Sequence, residues 1–84
     1  MKHLGYIIIE HCENYEQPLG LRTGKELPPG GLLEWTDGPR AVFQTRKAAW
    51  AAVERTDCYR RAFNRTDLPE KRFCKAVPLK LIQP

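Results

Sequence analysis

The apolar positions of this chain follow two different periods. Between Thr45 and Asn64 they recur at helical spacing. Ala49, Ala52, Val53, Thr56, Tyr59 and Phe63 fall on one stripe at 100° per residue, with Lys47, Glu54, Cys58, Arg61 and Arg65 opposite. Thr45 supplies an N-cap hydroxyl, and Asn64 tolerates the left-handed conformation that ends a helix. Trp50 sits on the shoulder of the stripe, where it covers the rim of a core.

The other apolar segments read as strands. From Leu4 to Cys12 the chain is dominated by Tyr6, Ile7, Ile8 and Ile9, a run that leaves no polar face and suits a strand covered on both sides or central in its sheet. Leu32–Thr36 and Arg40–Gln44 flank Asp37-Gly38, a hairpin signal, with Pro39 delaying the pairing of the second strand to Arg40. Phe73, Lys75 and Val77 alternate with Cys74 and Ala76 as in a half-buried strand. Pro78 interrupts that run, and Leu79, Leu81 and Ile82 continue it as an edge segment or a packed tail. Residues 13–31, rich in proline and glycine, read as one long loop, shortened if a strand forms around Leu19–Thr23. This order predicts one α+β domain over residues 1–84, with a single amphipathic helix on a small, mostly antiparallel sheet of three or four strands.

Composition narrows the picture. The content of 42% apolar and 29% charged residues over 84 positions is that of an ordinary globular domain, whose core is too small to enclose a large substrate pocket. The chain begins at Met1 with no signal sequence, and no apolar run approaches the roughly 20 residues that cross a bilayer, so the expectation is a cytoplasmic protein with no membrane partner. Cys12, Cys58 and Cys74 are an odd number without close spacing, the pattern of reduced thiols. Cys12 and Cys74 are expected to be buried and Cys58 to lie on the surface. His11 and Cys12 are adjacent, so a strand points them to opposite faces, which argues against a shared metal and against a Cys–His nucleophile pair. No phosphate-cradling glycine motif occurs. The expectation is no enzyme, no cofactor and no metal.

Charge supplies the remaining signal. Arg46, Lys47, Arg55, Arg60, Arg61 and Arg65, against Glu54 and Asp57, account for the whole +4 of the chain. Arg46, Lys47, Trp50, Arg55, Arg61 and Arg65 form a candidate face for an acidic protein or for phosphates, and the competing reading is a solvated helix surface. Residues 1–44 carry the opposite sign, and Glu13, Tyr15 and Glu16 form a second candidate contact within an acidic loop. Such a dipolar molecule suits docking to a protein, or self-association into a dimer, as well as nucleic acid. Exposed aromatics for base stacking are not expected beyond Trp50, because the tyrosines and phenylalanines fall at core positions. Arg60 falls near the apolar stripe, where it either snorkels off the helix end or pairs with a sheet carboxylate such as Glu10 or Glu34.

The run of Trp35, Ala41-Val42-Phe43-x-Thr45-Arg46-x-Ala48 and Tyr59-Arg60-x-Ala62-Phe63 resembles small accessory proteins of phages and prophages, in which a strand ending in an aromatic passes through Thr-Arg into an alanine-rich helix. The resemblance implies a non-catalytic inhibitor or adaptor, of the kind that includes anti-CRISPR proteins, acting on a host protein or ribonucleoprotein complex. The positive net charge departs from the acidic, DNA-mimicking members. A small nucleic-acid-binding protein using the same helix is the alternative.

Overall fold

The computed structural model describes residues 3–80. Its elements are β1 (His3–Cys12), β2 (Tyr15–Arg22), β3 (Leu32–Trp35), β4 (Val42–Phe43), α1 (Arg46–Ala62), a single 3-10 turn (Lys71–Phe73) and β5 (Cys74–Lys80). One helix packs on a five-stranded sheet whose pairings are all antiparallel, the α+β arrangement expected from the sequence. Among the described residues, no helix is long and apolar enough to cross a membrane.

The isoleucine strand is central. Ile7 is matched to Val77 of β5 on one side and to Val42 of β4 on the other, while Ile9 is matched to Lys75 and Pro18. β2 and β4 therefore lie end to end along the same edge of β1, with β5 along the other. Ile8 points to the helix and is fully buried with Leu19, Leu33, Ala49, Ala52 and Val53, and Tyr6, Phe43 and Trp50 close the rim of this core.

Two expectations for the first half of the chain are corrected. Residues 13–31 are not one loop, because β1 and β2 form a hairpin whose tip is Glu13–Asn14. Pro18 is accommodated where β2 changes neighbours: residues 15–18 pair with β1 and residues 19–22 with β3. The expected hairpin across Asp37-Gly38 is also absent. β3 pairs with β2 and β4 with β1, so residues 36–41 cross between strands. Gly20 lets that crossing pass close, since a Cβ there would press on the Thr36 methyl and the Pro39 carbonyl.

The helix is capped as its sequence predicts. Thr45 Oγ1 accepts the Ala48 amide at 3.0 Å, Asn64 takes a φ of 52°, and the Arg65 amide reaches the Arg60 carbonyl at 2.9 Å. Its stripe is buried only as far as Thr56, however. Tyr59 is half-buried and Phe63 is 63% exposed, their rings in tilted contact with centroids 4.5 Å apart. Leu68 and Pro69, beyond the helix, are buried where Phe63 is not. The expected interruption at Pro78 is corrected, because β5 runs through Pro78 and Leu79, matched to Tyr6 and Gly5; the continuation through Leu81 and Ile82, and the burial of the Cys12 side chain, lie outside what is described. Cys74 is buried, its Sγ donating to the Glu70 carbonyl at 3.3 Å, and Cys58 is exposed.

Thr56 joins helix to sheet. Its hydroxyl donates to the Ala52 carbonyl at 2.8 Å and accepts the Leu33 amide at 2.9 Å, closing an edge of β3 that would otherwise offer an unpaired N–H. Thr56→Val keeps the volume but leaves that buried amide without an acceptor, at an expected cost of about 1–3 kcal/mol. Thr56→Ser retains the acceptor, and urea unfolding of the two variants should rank serine as the more stable.

Candidate functional site

Trp35 ends β3 and stands between two hollows. Its indole N–H donates to Glu10 Oε1 at 2.8 Å, and the other Glu10 oxygen accepts the Glu70 amide at 3.2 Å. Glu10 is 4% exposed, so a buried carboxylate fixes the polar edge of the indole. The ring itself remains 40% exposed.

On one side of Trp35 lies a cleft of about 330 Å³. Its walls are Leu32, Leu68 and the Tyr59 ring, with Leu27 closing the end. The polar lining consists of Arg22, Glu26, Glu34, Arg65 and Asp67. The connection that supplies Glu26 and Leu27 is held to the helix by Arg55, whose Nε and Nη2 donate to the carbonyls of Gly31 (2.6 Å) and Gly30 (3.0 Å). A side chain at Gly30, where φ is +93°, would press against the Arg55 guanidinium. A second hollow of about 330 Å³ lies between Trp35, Arg60, Leu68, Glu70 and Phe73.

The structure places the expected basic face differently from a solvated stripe. Arg65 is held in a two-pronged pair with Asp67, both contacts at 2.8 Å. That hydrogen-bonded guanidinium lowers the Asp67 carboxyl to about 2, and Asp67 in turn raises Arg65. Arg61 meets Asp57 at 3.1 Å, and Lys71 pairs with Glu54. Arg60 does not reach Glu10 or Glu34 as expected; it binds Asp57 at 3.0 Å and approaches Glu70 at 3.8 Å. Glu10 is instead engaged by Trp35 and the Glu70 amide, and the 3-10 turn brings an acid to the arginine.

Arg46 and Lys47 sit at the other end of the helix, where Arg46 covers the Tyr6 ring at 5.5 Å and Lys47 makes no ion pair with a described residue. Trp50 is half-buried against the core. Glu13, Tyr15 and Glu16 are exposed around the β1–β2 hairpin tip, with Glu16 bonded to His11 Nδ1 at 2.9 Å. The span from Tyr6 to Cys12 separates these two groups by roughly 20 Å of strand. They are not one surface. The residues that gather at the cleft, Arg22, Glu26, Glu34, Trp35, Tyr59 and Asp67, were not singled out as a site from the sequence. Among the described residues, no group of three histidine, cysteine, aspartate or glutamate side chains could hold a metal ion.

No protein-family model matches the chain, and no curated protein or solved structure does either.

Asp57 links the helix end to the 3-10 turn. Burial pushes its carboxyl up, but the Arg60 hydrogen bond, the Lys71 amide and the charges of Arg60 and Arg61 outweigh burial and leave it below its ordinary 3.8. Its stabilising contribution is therefore complete above the unfolded-state value and is lost as pH falls through the depressed folded one. Asp57→Asn should destabilise the protein most above about pH 4. In urea unfolding, the gap from the parent protein should then narrow at lower pH; a gap independent of pH would assign Asp57 a packing role alone.

Proposed function

We propose that the protein is a non-catalytic binding protein that acts by occupying a surface on a protein partner. The observation that carries this reading is the aromatic surface at the helix end: Trp35 and Phe63 are exposed and Tyr59 is half-buried against Phe63, with Arg22 and Arg65 lining the same cleft as Trp35 and Tyr59. Tryptophan, tyrosine and arginine are the residues that dominate binding energy at protein interfaces. The Trp35 ring is already oriented by Glu10 and the Tyr59 ring is in contact with Phe63, so docking orders little that is not ordered beforehand. The resemblance to phage accessory proteins points to a host protein or ribonucleoprotein complex as the partner, with inhibition or adaptation as the outcome.

A second reading is supported by a separate observation. From Gly38 to Val53 the chain contains Arg40, Arg46 and Lys47 and no acidic residue, and none of the three forms an ion pair with a described residue. This end of the molecule suits phosphate contacts, and nucleic-acid binding is the alternative function.

Two variants separate the readings. Phe63→Ser removes an exposed ring with little effect on stability, and it should abolish capture of a partner from nuclease-treated host lysate. The double change Arg46→Glu with Lys47→Glu should leave that capture intact. Under the alternative, capture requires nucleic acid, falls steeply with added salt and disappears in the double variant while surviving Phe63→Ser.

A further inference from the structure

We infer that the cleft beside Trp35 receives a cationic side chain, arginine or lysine, presented by the protein partner. The inference rests on the docking reading above and specifies what that surface recognises.

The argument begins with charge. Glu26, Glu34 and Asp67 face two guanidiniums across the cleft. Asp67 and Arg65 neutralise one another in a closed two-pronged pair. Arg22 and Glu34 approach only to 3.9 Å, and both are well exposed, so that pair is loose. Glu26 makes no ion pair with a described residue. A molecule of net charge +4 thus carries a cleft with one uncompensated negative charge.

The walls point the same way. Trp35 and Tyr59 offer aromatic surface, and an aromatic face beside a carboxylate is the environment in which a guanidinium or ammonium is held by ring and charge together. A guanidinium adds a planar fork that meets a carboxylate through two hydrogen bonds. An anionic group would face Glu26 and could draw only on the loosely paired Arg22, since Arg65 is engaged by Asp67. A neutral apolar side chain would strip water from Glu26 and Glu34 without replacing it. At about 330 Å³ the cleft stands at the lower limit of ligand pockets, a size for one side chain rather than a cofactor. Arg55 holds the Gly30–Gly31 end of the connection that bears Glu26, so the carboxylate is presented by an anchored segment.

The test uses the isotope-labelled full chain and three small probes. N-acetyl-arginine amide and N-acetyl-lysine amide should shift the Trp35 indole and Tyr59 signals saturably, with millimolar affinity. N-acetyl-citrulline amide, an uncharged probe of nearly the same shape as the arginine one, should bind about tenfold more weakly. Glu26→Gln, a change in an exposed connection, should weaken the arginine probe about fivefold, as expected for loss of one exposed charge contact. Equal binding of citrulline, or an unchanged affinity in Glu26→Gln, overturns the inference, as does preferential binding of inorganic phosphate at the same signals. If the arginine probe fails while Phe63→Ser still abolishes partner capture, docking stands and cation recognition falls. If the probe binds but Phe63→Ser leaves capture intact, the docking reading fails instead.

Discussion

A single buried carboxylate sets the geometry at the helix end. Glu10 lies on the helix side of the central strand, where a charge without partners would be costly, and both of its oxygens are engaged by groups far away in sequence. One is the indole of Trp35 and the other is the amide of Glu70. The strand end that carries Trp35 and the turn that follows Leu68 and Pro69 must therefore meet at one point. The second hollow, lined by Trp35, Arg60, Leu68, Glu70 and Phe73, is what remains between them. An apolar residue at position 10 would bury more easily, but it would give neither segment a fixed position.

The elements with strong local signals were legible in the sequence. The isoleucine run could serve only a well-covered strand, and Ile7 is matched by neighbours on both sides. Thr45 and Asn64 mark the helix ends, because capping depends on side chains adjacent to the element they cap. Pairings decided at long range were not legible. Asp37-Gly38 has the chemistry of a tight hairpin, but β2 takes the place beside β3 and leaves residues 36–41 as a crossing. Pro18 argued for a loop, and it is tolerated only because the strand changes partners there. Tyr59 and Phe63 follow the stripe faithfully, but burial along the helix stops at Asp57, and Leu68 and Pro69 beyond it are buried instead. The site depended on that exposure, which a helical wheel cannot show.

The net charge is legible in the sequence, but its disposition is not. Residues 46–65 do carry the net charge of the chain, but acids on the helix itself and in residues 67–70 converge on the C-terminal half of this stretch. Lys71 adds a further link back to Glu54. These pairs turn the last helical turns and the following segment into one network and leave Arg46 and Lys47 at the far end without an acidic partner among the described residues. A cation's sequence position says little about its availability when its counter-ions come from a neighbouring turn.

The placement of β1 has a kinetic consequence. Its partner along one whole edge, β5, lies some 70 positions further along the chain, with Ile8 opposite Ala76. The β1–β2 hairpin closes through a local turn, but this long loop must close before the second edge is satisfied. Until then Ile7, Ile8 and Ile9 present an open row of amides and carbonyls beside large apolar side chains, the pattern that pairs indiscriminately between chains. The strand that makes the finished sheet stable is thus the one most in need of protection while the protein folds.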